Sequence, residues 1–329
     1  PLCRPRRHSP RDIFAKKKGC GSMFRTLSEQ EVSRYSYGCK QFGGGADEVE
    51  SAARHTACRD AGVSCFDTAY GYTEGRSETF LGRLIAPERD DVFIATKCAY
   101  TGAAPAAIAA QIEESRKRLG IDVIDLLYLH RWDEAVPLED TLAALAAPVA
   151  DGVVRHIGVS NFASWQVMKA RQIAQGMGFD ITALQPMYNL VKRQVEVELL
   201  PMAEAEGFVV CPYSPLGGGL LTGKYLAGGS GRLSEDHRYA ARYAPDWMGE
   251  AAGGLVALAD EVGVSASTLA VAWVARHSGV HGPIISARSV EQLGPSLEAM
   301  KFVMDDALYD RVSALSPRPP PATDRLEEV

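Results

Sequence analysis

Eight short apolar runs recur along the chain, and segments with helical spacing fill the intervals between them. The runs cover 35–39, 63–66, 92–95, 124–129, 156–159, 181–184, 208–211 and 283–285. Between them, 47–61 places Val49, Ala52, Ala53 and Ala57 at helical intervals, and 104–119 does the same with Ile108, Ile112 and Leu119. Leu138, Leu142, Leu145 and Val149 step by four, three and four, which is one helix face. Residues 80–85, 165–175, 195–206 (restarted at Pro201), 255–262 and 265–275 continue the alternation. Gly62, Gly120, Gly152, Gly178 and Gly207 stand just before strands, where the end of a helix favours glycine. Repeated strand–helix units imply a parallel sheet. Eight of them fit an α/β chain folded as a (β/α)8 TIM barrel, typically about 250 residues; a doubly wound sheet is the second arrangement compatible with the pattern.

The barrel is expected as one domain over 23–316. Residues 1–22 differ from it, with Arg4, Arg6, Arg7, Arg11 and Lys16 to Lys18 against a single acid, Asp12. They lack the apolar stretch of a secretory leader, and Gly21-Ser22-Met23 reads as a cloning remnant before a native start. A mis-called upstream start and a basic tail are the other readings, and disorder is expected there. Residues 317–329, with Pro317, Pro319, Pro320 and Pro321, read as a C-terminal tail.

A net charge of −6 argues against a nucleic-acid partner, which calls for a basic face. No run approaches 18 uncharged apolar residues, so no membrane span is expected. The seven cysteines are odd in number and show no CxxC pairing, which suggests neither a disulfide framework nor a zinc site. A reducing, cytoplasmic location fits best.

The strands hand over a series of polar groups at their carboxyl ends: Asp67, Lys97, His130, Ser160-Asn161, Gln185, Tyr213-Ser214 and Arg288. In a barrel these would ring one face, where catalytic residues of such folds sit. The stretch 65–82 is the richest. A buried strand delivers Asp67, a glycine-punctuated loop presents Tyr70 and Tyr72, and Ser77-Glu78 open a helix. Taken singly, Asp67–Lys97 is equally a structural ion pair, His130 a buried core histidine and Tyr72 a surface tyrosine. Taken together they make a proton donor. A phenol has a pKa of about 10, and a neighbouring ammonium lowers it by stabilising the phenolate. Asp67 would hold that ammonium, and His130 would bond the incoming oxygen or the phenol. Such a phenol can protonate a carbonyl oxygen as it becomes an alkoxide. No side chain supplies the hydride this requires, so a nicotinamide cofactor is implied.

With those residues in place, the chain resembles the aldo-keto reductase family. The matching stretches are Phe66-Asp67-Thr68-Ala69 with Tyr72 and Ser77-Glu78, Ala95-Thr96-Lys97, the run from Asp125 to His130, the run from Ile157 to Phe162, Gln185-Pro186 with Tyr188-Asn189, and Tyr213-Ser214-Pro215-Leu216. The resemblance implies a monomeric or oligomeric (β/α)8 barrel that reduces small carbonyl compounds with NADPH, or less often NADH. It implies catalytic roles for Tyr72 as proton donor and for Asp67, Lys97 and His130 around it. Ser160, Asn161 and Gln185 would hold the nicotinamide carboxamide, and Tyr213 would stack on the ring. Ser214 and Leu216 would contact the pyrophosphate, and Gly38 joins the cofactor-binding set. Ser286, Arg288, Gln292 and Ser296 would face the adenine ribose, with Arg288 as partner of a 2′-phosphate. Thr73, Ser286 and Ser296 stand where glycine, glycine and asparagine are common in the family.

Lys40, Tyr70, Tyr100 and Trp132 are substrate-pocket candidates by their place at strand ends, with loop packing as the alternative. Residues 228–249 would cover the cofactor or form an oligomer contact. Residues 218–224 nearly spell a phosphate loop, but Tyr225 stands where the magnesium-binding hydroxyl belongs. No metal cluster is read from the strand ends. The rival to the enzyme is an NADPH-binding regulatory barrel with little turnover.

Overall fold

Alternating burial builds the sheet. In β3 (Phe93–Cys98), Phe93 and Ala95 join one apolar cluster while Ile94 and Cys98 join another. In β4 (Ile124–Leu129), Leu126 and Tyr128 go to the first cluster, and Leu127 and Leu129 to the second. A strand that buries both faces needs two apolar layers, one inside a closed sheet and one beneath surrounding helices. The computed structural model describes residues 24–323 and 325. The expected extension, 1–22, lies outside the described residues, as does most of the end of the tail.

The remaining strands are β1 (Ser36–Gly38), β2 (Cys65–Asp67), β5 (Val154–Ser160), β6 (Ile181–Gln185), β7 (Val209–Val210) and β8 (Ile284–Ile285). Every pairing is parallel, in the order β7-β6-β5-β4-β3-β2-β1-β8. Hydrogen bonds join the outer edges: His281 N–H donates to the Val210 carbonyl and Ile284 N–H to that of Pro212, each at 2.9 Å, and Val210 N–H donates to His281 Nδ1 at 3.1 Å. The chain is a (β/α)8 barrel. Its interior is filled by Cys65, Phe93, Ala95, Leu126, Tyr128, Ala183 and Val209, and Phe24 and Val32 pack against them. Phe24 stacks on Phe93 at 5.1 Å and lies 4.6 Å from His156, and so closes one end.

Tyr128 fits inside because its neighbour on β5 is Gly158. A Cβ at Gly158 would come within 2.5 Å of the Tyr128 ring and 2.8 Å of the Ala183 carbonyl. The barrel therefore holds a full phenol where adjacent strands would ordinarily both project side chains.

Helices α1 (Glu48–Asp60), α2 (Arg76–Ile85), α3 (Pro105–Leu119), α4 (Leu138–Ala150), α5 (Ser164–Gly176) and α6 (Leu199–Glu206) follow the first six strands. The ends obey local chemistry. Asp47 and Glu50 form a capping box on α1, and α3 opens on Pro105 and stops at Gly120, whose φ is +66°. The helix expected over 195–206 starts only at Leu199. Glu196 is held instead by Arg193 (2.9 Å) and by the Tyr188 hydroxyl (2.7 Å), and Pro201 falls in the first turn, where a missing N–H costs nothing. Likewise β3 runs on past the expected run, so Lys97 lies within the strand.

The segment 228–249 contains α7 (Arg232–Glu235), α8 (His237–Arg242) and the start of α9 (Asp246–Val262), nine residues before the apolar stripe expected there. After α10 (Ala266–Arg276) and β8 come α11 (Val290–Glu298) and α12 (Asp306–Ser313). Fully buried Trp273 of α10 lies parallel to Tyr309 at 5.9 Å and donates its indole N–H to Ser313 Oγ at 2.8 Å, which fastens α12 to the barrel wall. Among the described residues no single helix is long and apolar enough to cross a membrane.

Candidate active site

The period of two that fills the barrel also delivers the polar residues. Two residues past inward-facing Cys65 comes Asp67; past Ala95, Lys97; past Tyr128, His130; past Ala183, Gln185. Each continues its strand's inward row at the carboxyl end. The structure thus gathers at one mouth the groups expected there from sequence.

Asp67 and Lys97 are both almost fully buried. The Lys97 ammonium donates to Asp67 Oδ1 and, at 2.7 Å, to the Thr68 carbonyl. The other carboxylate oxygen accepts from Gln185 Nε2 at 2.8 Å. Burial works against the Lys97 charge, but Asp67 and the Tyr72 hydroxyl outweigh it and hold the ammonium above its ordinary pKa. A buried ion pair is tolerated only when its remaining donors and acceptors are also bonded, and here they are.

Tyr72 stands over this pair, with the Lys97 ammonium 5.0 Å from its ring centroid. Burial raises the phenol's pKa; Lys97 pulls it down and Asp67 pushes it up. The lysine acts with the expected sign, but the expected lowering is corrected: burial is the larger effect and the net direction is upward. The loop after Tyr72 is strained, since Thr73 and Glu74 have φ of +48° and +58°. It is held by Thr73 Oγ1, which accepts from Ser77 N–H (2.9 Å) and donates to the Phe42 carbonyl (2.8 Å).

Beneath the loop, Ser77 bonds Thr68 at 2.7 Å and the Cys39 carbonyl at 2.8 Å. Fully buried Glu78 accepts from Thr96 Oγ1 at 2.6 Å and from Arg118 at 3.3 Å. Ser77 and Glu78 therefore brace the loop and do not face the mouth. Arg118 went unrecognised in the sequence. It also donates to the Tyr70 carbonyl at 3.0 Å and stacks on that ring at 4.6 Å. Nothing local distinguishes it from the other basic residues ending α3.

His130 presents its imidazole edge-on to Tyr72, with ring centroids 5.7 Å apart at 82°. Burial lowers its pKa to about 3, and the positive charges of Lys97, Lys40 and Arg131 add to the effect. The ring is neutral at physiological pH, and its buried Nδ1 has no partner among the described residues. Tyr100 packs beside it at 5.0 Å. Trp132 lies 5.5 Å from Phe162 and 5.7 Å from exposed Trp165. Lys40 lies with its ammonium 5.8 Å from the Tyr72 ring centroid.

The far side of the mouth is a hydrogen-bonded belt. Ser160 Oγ donates to the Gln185 carbonyl at 2.8 Å. Asn161 Nδ2 donates to the His130 carbonyl at 2.9 Å, and its Oδ1 accepts from the Tyr213 hydroxyl at 2.7 Å. Asn161 and Ser214 both hold φ of +59°, a conformation costing non-glycine residues about 1–3 kcal/mol that concentrates at functional sites. The Ser214 carbonyl is tied down by Asn189 Nδ2 at 2.9 Å. After Leu216, three successive glycines, Gly217 to Gly219, have positive φ, and a Cβ at Gly218 would meet Leu233 and Tyr239 at 3.0 Å.

At the end of β8, Ser286 Oγ donates to the Gly38 carbonyl at 2.9 Å. Arg288 is gripped on both nitrogens by Glu235 of α7, at 2.9 Å on the longer contact, and its carbonyl accepts from fully buried Arg54. Glu235 was missed in the sequence, where it is one acid in a polar loop. Gln292 N–H is capped by Ser289 Oγ at 3.2 Å, and the buried Ser296 hydroxyl has no partner among the described residues. The unpartnered hydroxyl, the glycine bend and the guanidinium fit a dinucleotide, with backbone N–H groups for its pyrophosphate.

The model of the aldo/keto reductase family matches residues 35–317. A probable voltage-gated potassium channel subunit beta from Oryza sativa subsp. japonica is 32% identical over 316 residues, covering 89% of this chain and 95% of the relative. Aflatoxin B1 aldehyde reductase member 2 from Homo sapiens is 34% identical over 293 residues, 80% of each chain. Among solved structures, the glycerol dehydrogenase AKR11B4 from Gluconobacter oxydans superposes with a TM-score of 0.78 at 27% identity, over 87% of this chain and 92% of its own. The chain therefore belongs to the aldo/keto reductase family, as an NAD(P)H-dependent oxidoreductase.

Proposed function

We propose that the protein reduces an aldehyde or ketone to the alcohol with NADPH as the hydride source and Tyr72 as the proton donor. The observation that carries this reading is the stack of Tyr72 over the buried Lys97–Asp67 pair, with neutral His130 at its edge. A bound nicotinamide supplies the hydride to the carbonyl carbon. As charge gathers on the carbonyl oxygen, Tyr72 gives up its phenolic proton to it, and the Lys97 ammonium stabilises the phenolate left behind. His130, being neutral, orients that oxygen by a hydrogen bond without competing to protonate it. In this reading Ser160, Asn161 and Gln185 hold the carboxamide and Tyr213 stacks on the ring. Ser214 and Leu216 meet the pyrophosphate. Gly38, Ser286, Arg288, Gln292 and Ser296 face the adenosine end. In this reading the described residues 24–316 belong to one barrel domain, and the reduced-thiol composition supports a cytoplasmic setting.

The likeness to a protein named as a potassium channel subunit favours a second reading, a cofactor-binding regulatory barrel. Reduced-nicotinamide oxidation measured on a panel of small carbonyl compounds, for wild type and Tyr72→Phe, separates the two. We expect wild-type turnover and a loss of about 10²–10⁴-fold in the variant, with cofactor affinity retained. Tight cofactor binding with no turnover on any carbonyl points to the regulatory barrel instead.

A further inference from the structure

The chain carries a net charge of −6, yet the charged groups whose fields fall on the His130 imidazole are Lys97, Lys40 and Arg131, all positive. Lys97 is neutralised by Asp67. Lys40 and Arg131 are not: both are exposed, and among the described residues neither pairs with a carboxylate. Among the described residues, Arg131 donates to the Tyr100 carbonyl at 3.1 Å and lies over that ring, with its guanidinium 4.8 Å from the centroid. Asp236, the carboxylate whose field reaches Lys40, is already held by Arg238 at 3.0 Å. Lys40 and Arg131 therefore leave uncompensated positive charge around His130 and the Tyr72 phenol. A ligand that brings negative charge is attracted to it, and a cationic patch on an acidic protein concentrates anions locally.

We propose that the site selects an anionic carbonyl compound, an aldehyde or ketone bearing a carboxylate or phosphate a few bonds from its carbonyl. This rests on the reductase reading above. The carbonyl oxygen faces Tyr72 and His130, the anionic group faces Lys40, and Arg131 adds to the attraction. The position suits a substrate better than the cofactor. Lys40 follows β1, and although the charges of Arg232, Asp236 and Arg238 from the segment after β7 also reach it, its ammonium lies 5.8 Å from the Tyr72 ring centroid, beside the reacting phenol.

The test compares near-isosteric pairs: 4-carboxybenzaldehyde against 4-formylbenzamide, and glyceraldehyde 3-phosphate against glyceraldehyde. The two pairs distinguish a carboxylate from a phosphate preference. In the wild type, kcat/KM should favour at least one anionic member by about tenfold or more, and the preference should shrink as salt rises. Lys40→Glu should reverse it, chiefly through KM, and Arg131→Met should reduce it several-fold. Equal turnover of both members of each pair, or a preference untouched by Lys40→Glu, overturns this inference and leaves the reductase reading standing. No turnover of any member sinks both.

Discussion

The Gln185 side-chain amide donates to Asp67 Oδ2 at 2.8 Å, on the opposite carboxylate oxygen from the one that takes Lys97. The Tyr128 hydroxyl engages the Gln185 side chain from inside the barrel. Gln185 is therefore part of what holds the ion pair, independent of any cofactor. Gln185→Leu keeps the volume but strips a donor from a buried carboxylate. We expect a loss of about 1–3 kcal/mol in unfolding free energy, read by urea denaturation without cofactor. A residue that served only the nicotinamide would leave that measurement unchanged.

Removing Lys97 is expected to be more severe. Lys97→Met strands the Asp67 carboxylate without its counter-ion, and breaking one side of a buried pair costs about 3–5 kcal/mol. Adding Asp67→Asn should recover much of the loss. The pH dependence has a definite sign. The folded-state pKa of Lys97 lies above its unfolded value, so its contribution is fully present below about pH 10.4 and disappears as pH rises through the folded value. The wild type should lose stability on that alkaline limb, and Lys97→Met should show less of this loss.

Two half-buried histidines act at the other end of the scale. Burial lowers His130 to about 3 and His156 to about 4. Both are protonated more readily in the unfolded chain, near pH 6.5. Their stabilising effect is complete above that value and is lost as pH falls toward the folded values. Unfolding free energy should decline between about pH 6.5 and 4, and His156→Gln should flatten the slope. An NMR titration should find the His130 ring unchanged from pH 8 to 5; protonation within that window would contradict its assignment as a neutral hydrogen-bonding group.

Glu235 is expected to set the choice between the two nicotinamide dinucleotides. It already occupies the guanidinium fork of Arg288 with two contacts, and a 2′-phosphate would compete for the same donors. Glu235→Gln frees the fork, so the ratio of NADPH to NADH affinity, followed by quenching of protein fluorescence, should rise several-fold. An unchanged ratio would mean that Arg288 does not meet the 2′-phosphate.

What was legible in the sequence was what repeats locally. Short apolar runs and the glycines after helices mark eight units, and the period of two carries each buried row outward to Asp67, Lys97, His130 and Gln185. What was not legible is pairing at a distance. Gln185 meets Asp67 across 118 residues and Arg288 meets Glu235 across 53; no local pattern encodes either. Arg118 looked like any basic residue at a helix end until its bonds to Glu78 and Tyr70 were seen. The upward net shift of the Tyr72 phenol was hidden for a related reason. Charge neighbours can be read from motifs, but the depth of burial that outweighs them is a property of the closed barrel.

Gly158 links the packing of the barrel to the site. Its missing Cβ leaves room for the Tyr128 ring, and an added methyl would stand 2.5 Å from two ring carbons and 2.8 Å from the Ala183 carbonyl. The strands on either side are hydrogen-bonded and cannot separate cheaply, so Gly158→Ala must move the ring. Overpacking of this kind costs about 1–3 kcal/mol, which thermal or urea unfolding will register. The displaced ring is also the one whose hydroxyl engages Gln185, and Gln185 in turn bonds Asp67. The variant should therefore lose turnover in addition to stability. Tyr128→Leu in the same chain relieves the clash and should restore stability but not full turnover, because the hydroxyl under Gln185 stays absent. Full recovery of turnover would show that Tyr128 serves the barrel only as filling.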